Sequence, residues 1–477
     1  MNRYIRTMIQ ILVCCFGVLI LGGCHVQLSD STTESKNLAN ALIHPNYDGI
    51  QAAAEAGADM DQVKIDGVSQ NPILYLWNPS PRPLFIEQLL KNGSDANYAD
   101  RNGNTLLMYA SGYEPQKYGF LPGKGNYSSA DYAELFLRYD ADVSQQNKEG
   151  WTALDYAVQL DDDMAAMNLL LSYGAEVTPV VLSHALDFEG AYTHYQRIHK
   201  LVALLDSSQT STILTPIFDA AIRGDNATVQ ELATKTDLSE AERLQTLCHA
   251  VAFCNADTVR LLLADGFGTI QTIDAADNTL LQIAAMQNNT DVMNFLLKQG
   301  SWDTESRDAA LCTAIRNNST EACRLLLDSG TPVITGTVSI WEVFDNIMDG
   351  ASENGNVEIT QMLIQHGYPV NETTAWYAMK NAARTGQTAI IQYWVSLGYD
   401  PDYHSDDTNG DSSVLQDACW AEQIETVQYL LDIGCDVNAA QRCLPMAVET
   451  GNIALVKLLL EHGAAVDEST VFDDGSA

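Results

Sequence analysis

The chain has 477 residues and carries 62 Asp and Glu against 25 Lys and Arg, a net charge of −37. That length exceeds what one compact core holds, and that charge excludes nucleic acid and anionic headgroups as electrostatic partners. What remains is a multi-domain or repeat architecture whose acid either attracts a basic partner or serves solubility alone.

The first element is an apolar run. Asn2-Arg3-Tyr4-Ile5-Arg6 is basic, Met8 to Leu21 is apolar but for Gln10 and Gly17, and Leu21-Gly22-Gly23-Cys24 follows. The run is too short to span a bilayer and fits the core of a signal peptide. Small residues ahead of a cysteine let the chain lie extended in a peptidase site. This stretch resembles the lipobox of bacterial lipoproteins. The resemblance implies cleavage before Cys24, a diacylglyceryl group on its thiol and acylation of its new amine, enough lipid for lasting anchorage. His25 and Val26 stand where inner-membrane lipoproteins of enterobacteria-like systems carry Asp. The resemblance therefore implies an outer-membrane lipoprotein facing the periplasm, with 1–23 as signal peptide. Residues 24–37 are polar and read as a tether.

From residue 38 a pattern recurs at spacings near 33 residues: a short helix, a small-residue turn, a leucine-rich helix, and a Gly stop. The second-helix end reads LLKNGSDAN at Leu89–Asn97, LLSYGAEV at Leu170–Val177, LLDIGCDVN at Leu430–Asn438 and LLEHGAAVD at Leu459–Asp467. The first-helix start reads GNTLLMYA at Gly103–Ala110, GWTALDYA at Gly150–Ala157 and DNTLLQIAA at Asp277–Ala285. Thr at these starts supplies a cap, and Gly after the second helix supplies the left-handed stop. No unit buries its apolar face alone, so stability comes from stacking. The pattern resembles the ankyrin repeat. It implies an all-α solenoid of about 12 or 13 helical hairpins with short β-hairpin fingers.

In chain order the expected blocks are 38–177, a poorly fitting stretch 178–245, a second block 246–467, and a tail 468–477. Residues 178–245 read either as two degenerate units, the first with an insertion at Asp187–Gln196, or as a joint between blocks. Ser111–Ala130 interrupts a unit with a Gly/Pro-rich loop bearing Tyr113, Tyr118, Phe120 and Tyr127. Such aromatics give a partner contact area at low entropy cost, or fold back as a cover. Pro401–Ser413 lengthens a finger and brings Asp402, Tyr403, Asp406 and Asp407. These eight residues are the candidates for partner contact. Asp406, Asp407, Asn409 and Asp411 lack EF-hand spacing, since Ser405 and Gln416 stand where ligands belong.

Cysteines 312 and 323 fall on two helices of one unit, and Cys435 and Cys443 span one finger. Each pair reads either as a disulfide or as small core residues. No zinc spacing, nucleophile elbow, phosphate loop or dinucleotide fingerprint is present, so the expectation is no enzyme, no metal and no cofactor. The expected function is a membrane-anchored protein-binding scaffold. Signal-bearing, ankyrin-like lipoproteins resemble immunity proteins against periplasm-acting toxins, such as the lipases and phospholipases of type VI secretion. The implied partner is a basic-surfaced secreted toxin. The alternative is a scaffold or assembly factor for a periplasmic enzyme.

Overall fold

The computed structural model describes residues 32–44, 46–65, 68–77, 83–112, 128–159, 164–187, 194–235, 237–300, 302–333, 347–403, 413–438, 443–449 and 452–466. They form helical hairpins in two compact units, one holding the residues up to Tyr109 with 134–142, the other the remainder. Cys24 and the tail 468–477 lie outside the described residues.

In the first unit a helix already begins at Thr33, inside the span read as tether. Thr32 caps it, and Leu38, Ala39, Ala41 and Leu42 recur at helical spacing and are buried. It packs on Tyr47–Glu55, which Asn46 caps. Tyr47 stacks on Phe85 of the helix Pro83–Lys91 with ring centroids 4.2 Å apart. Between these helices lies a two-stranded antiparallel finger, Val63–Ile65 with Val68–Gln70.

The second unit is built from two rows. First helices run through Pro216–Arg223, Glu240–Phe253, Leu280–Met286, Thr304–Arg316, Ile347–Glu353, Glu372–Arg384, Val414–Trp420 and Cys443–Glu449, each packed on the next. Their partners, from Asn226–Leu232 to Ile453–Glu461, form a parallel succession of second helices. The expected caps are in place in each unit: in the first, Thr105 Oγ1 accepts from Met108 N at 3.2 Å, and in the second, Thr279 Oγ1 from Gln282 N at 3.2 Å. Side-chain amides sew the turns of neighbouring units together. Asn289 Nδ2 donates to the carbonyls of Val251 (3.0 Å) and Cys254 (2.8 Å), and Asn354 Nδ2 to that of Ile315 (2.6 Å). These bonds satisfy helix-end carbonyls that would otherwise lack partners. At one such turn Gly355 has φ +69°, the left-handed region that favours glycine, and the side-chain amide of Gln387 lies where its Cβ would be.

The helix His194–Leu204 breaks the alternation. It follows Pro179–Asp187 as its pair, yet packs beside the first helix Pro216–Arg223. His199 stacks on Phe253 at 4.3 Å, and Lys200 donates to Asn168 on Ala165–Ser172. This helix thus bridges the stretch 178–245 to the units on either side.

The rows are held by their buried apolar faces. Trp394 sits mid-row with 0% of its surface exposed and meets Tyr399 edge-on at 5.5 Å. Its indole N–H finds no acceptor among the described residues. Trp394→Ala should therefore lower the unfolding free energy by about 3–5 kcal/mol through the cavity it leaves. Trp394→Phe keeps most of the volume and loses an unpaired donor, so its cost should stay below about 1.5 kcal/mol. Urea titration followed by circular dichroism checks both, and equal losses would discard the packing explanation.

Candidate interaction surface

Fingers and turns are what a stacked array offers to a partner, so their polar groups need sorting into those already engaged and those left outward. Among the described residues a fingertip motif occurs three times. Asp100 Oδ1 accepts from the backbone N–H of Asn102 and Asn104, both at 2.8 Å. Asn147 Oδ1 accepts from Glu149 N and Trp151 N, both at 2.9 Å. Asp274 Oδ1 accepts from Ala276 N (2.9 Å) and Asn278 N (2.8 Å). Each tip also takes a tyrosine hydroxyl: Tyr109 to Asp100 at 3.1 Å, Tyr156 with Asn147 at 2.9 Å, and Tyr195 to Asp274 at 2.8 Å. The first two tyrosines belong to the following helix. The third comes from the bridging helix His194–Leu204, because Ile283 occupies the corresponding place.

Asp and Asn at the base of one finger also hold the next. Asp61 Oδ1 accepts from Ser94 Oγ (2.9 Å) and Asp95 N (2.8 Å), and Asn438 Oδ1 from Ala465 N (2.8 Å). Asp402 belongs to this series, since its Oδ2 accepts from Asp436 N at 3.1 Å. Tyr403, its neighbour, meets Trp376 edge-on at 6.5 Å and joins the core. Both residues expected at a partner contact are thus engaged by the scaffold. Asp406, Asp407, Tyr113, Tyr118, Phe120 and Tyr127 lie outside the described residues.

Electrostatics single out the later units. From Leu325 to Gln441 the only Lys or Arg residues are Lys380 and Arg384. Both turn to one buried carboxylate: Asp417 Oδ2 lies 3.3 Å from Arg384 Nη2 and 4.0 Å from Lys380 Nζ. Lys380, only 5% exposed, also sits 4.4 Å from the Trp376 ring centroid. With both committed to that site, exposed Glu372, Glu425 and Asp436 have no Lys or Arg in their stretch to offset them, while Asp432 lies 3.5 Å from His462 Nε2.

Within this acidic stretch lies an apolar edge. Trp420 is 57% exposed at the end of its helix, Ile424 is exposed at the start of the next, and Ile453 is 67% exposed at the same place one unit on. Asn452 Nδ2 donates to Glu422 Oε2 at 2.9 Å and ties the two turns together. Sequence reasoning passed over this edge. The signal was present: Trp420 stands where neighbouring units carry Arg316, Glu353 and Arg384.

The most enzyme-like constellation is Tyr195, Cys248, His249 and Asp274. Burial pushes the Tyr195 phenol well above its usual range, and Cys248 and Asp274 beside it add to the shift. Burial likewise pushes the Cys248 thiol up to about 12. A nucleophilic cysteine needs the opposite shift. The cluster is a buried packing site, closed by Phe218 edge-on against His249 at 4.9 Å. No group of three or more His, Cys, Asp or Glu among the described residues is placed to hold a metal ion. No described helix is long and apolar enough to cross a membrane.

A family model for ankyrin repeats, in three copies, matches residues 80–180, 249–335 and 347–441, more than half of the chain. The chain is an ankyrin-repeat protein. The gap between the first two matches contains the bridging helix, where the ankyrin alternation is broken. Over 231 residues the protein is 26% identical to the ankyrin repeat and KH domain-containing protein mask-1 of Caenorhabditis elegans, covering 46% of this chain and 8% of that one. It is 23% identical to the human ankyrin repeat and SOCS box protein 6 over 38% of this chain and 42% of that protein. The ankyrin array thus spans less than half the length of these relatives. Among solved structures, the ankyrin repeat domain of human ASB11 aligns with 39% of this chain and 85% of its own, at 20% identity and a TM-score of 0.34. That of Bcl-3 aligns with 43% of this chain and 93% of its own, at 22% and 0.32. Ankyrin repeats make the chain a protein-interaction scaffold, and no enzymatic family matches it.

Proposed function

We propose that this ankyrin array is tethered to the bacterial envelope through Cys24 and captures a basic-surfaced protein on the acidic side of its later units. The observation that carries the reading is the isolation of acid there. Lys380 and Arg384 are committed to Asp417, and the exposed Glu425 adjoins Ile424 in the turn that also carries Trp420. An aromatic anchor with aliphatic neighbours and a charged rim is the composition of an interface hot spot. Acid of one sign speeds encounter with a basic partner and loses that effect as salt rises.

The sharpest form of the proposal is immunity: the partner is a toxin acting in the periplasm, of the lipase or phospholipase class, and binding blocks the mouth of its active site. The leader Met1–Gly23 with Leu21-Gly22-Gly23-Cys24 supports the location, and the net charge of −37 supports the sign of the partner. The broader form is an envelope scaffold that holds a periplasmic enzyme.

Deletion of the gene decides between them. If a neighbouring gene encodes a toxin of this class, cells without the chain should die when that toxin is directed to the periplasm, and should survive once the chain is restored. Survival without the chain would remove immunity and leave the scaffold. Cys24→Ser should move the protein from the membrane fraction to the soluble one, and continued membrane association would overturn the anchor.

A further inference from the structure

The fold brings together two cysteines that sequence spacing does not pair. Cys419 lies in the helix Val414–Trp420, and Cys443 opens the helix Cys443–Glu449, which packs directly on it. Cys443 Sγ donates to the Leu415 carbonyl at 3.8 Å, one helical turn before Cys419 on the helix it packs against. Both side chains are buried within one apolar cluster. The pairs suggested by spacing are arranged otherwise. Cys435 lies beside Asp402, and Cys312 and Cys323 stand on the two packed helices of a single hairpin. All seven described cysteines are thiols in this structure.

We propose that Cys419 and Cys443 are a disulfide site that staples the last described helical pair to the one before it. The co-reactant is a disulfide, either a small molecule such as oxidised glutathione or the Cys-x-x-Cys site of an oxidase. A thiolate of the pair attacks one sulfur of the oxidant and displaces its partner as a thiol. The second thiolate then attacks the mixed disulfide and releases the other oxidant sulfur. Two S–H bonds and the oxidant's S–S bond are broken. One S–S bond forms in the protein and two S–H bonds in the reduced oxidant, so electrons and protons balance.

Access follows from the array. Among the described residues Cys443–Glu461 stacks on one neighbour only, and in a nearest-neighbour stack such a hairpin opens at the lowest cost. Closing a loop of about 25 residues then restricts that opening. The site stands apart from the anchoring and partner readings, since it depends only on two buried thiols on packed neighbouring helices.

The test incubates the full chain with oxidised glutathione, blocks remaining thiols with iodoacetamide in denaturant, and maps cysteine peptides by mass spectrometry. The expected product is one cross-linked peptide pair containing Cys419 and Cys443, lighter by about 2 Da than the two reduced peptides. The peptides of Cys248, Cys254, Cys312, Cys323 and Cys435 should all be alkylated. Hydrogen exchange of 443–461 should slow by about tenfold or more on oxidation, and Cys443→Ser should abolish that difference. Alkylation of both Cys419 and Cys443 after oxidation, or a cross-link joining either to another cysteine, would overturn the proposal.

Discussion

Raising the pH above about 9 under reducing conditions should unfold this protein, and its cysteines should account for most of the loss. Burial pushes the thiols of Cys248, Cys254, Cys312, Cys323 and Cys435 from 9.0 up to about 12. Carboxylates add to the shift for Cys254 (Asp225), Cys312 (Asp308) and Cys435 (Asp402). Burial, with Asp349 nearby, does the same to the phenol of Tyr368, from 10.0 to about 12. Between the unfolded and folded values the unfolded chain has released a proton that the folded chain keeps. Stability is whole below the unfolded value and falls as pH climbs toward the folded one. Each group contributes a slope of about 1.4 kcal/mol per pH unit in that window. The slopes add for distant sites, so the urea midpoint should drop steeply from pH 9 upward. Cys254→Ala should flatten the drop by one group's share. A midpoint constant between pH 8.5 and 10.5 would show that these thiols are solvated when folded.

The repeat was legible because its signals are local. Thr105, Thr152 and Thr279 head helices, Gly follows the second helices, and leucines recur on one face. The interior contacts were not legible, because they join residues with no common period. Tyr195 completes the fingertip at Asp274 from a helix that the repeat pattern does not describe. Nothing in the sequence marks it except Ile283, which stands where Tyr109 and Tyr156 stand in the other two copies. Lys380 reads as a surface charge at the end of a helix, and its burial follows from the placement of Trp376 and Asp417 around it. Acid in a finger reads as a ligand for a partner, yet Asp402 holds the next finger, because an Asp base-of-finger carboxylate meets the following backbone N–H in a stacked array. Cysteine spacing left each pair open between a disulfide and core thiols, and it did not mark Cys419 with Cys443, which adjacent first helices bring toward each other. The apolar edge at Trp420 needed comparison across units. One tryptophan at a turn is unremarkable until its counterparts are seen to be charged.

Asp417→Ala should be among the most damaging single substitutions in the later units, at about 3–5 kcal/mol, although it touches no candidate contact residue. The carboxylate lies between two cations of different standing. Arg384 reaches it from a half-exposed position and recovers hydration when it is lost. Lys380 does not: its ammonium lies between the Trp376 ring and Asp417, and among the described residues loss of the acid leaves its charge with the indole face. That face is worth about 2 kcal/mol to a desolvated cation, less than the several kcal/mol of hydration forgone. Lys380→Met removes the stranded charge and keeps the length of the stem, so the pair Lys380→Met with Asp417→Leu should recover most of the stability lost in Asp417→Ala. Thermal unfolding of the single and double variants measures this directly. If the double variant is no better than Asp417→Ala, the loss comes from packing around the helix Val414–Trp420 and not from the unpaired lysine. The same pair bears on the proposed surface. Restoring stability with a neutral site keeps the outward carboxylates and Trp420 in place, so partner capture should persist in the double variant and fail in Asp417→Ala at temperatures where the later units have melted.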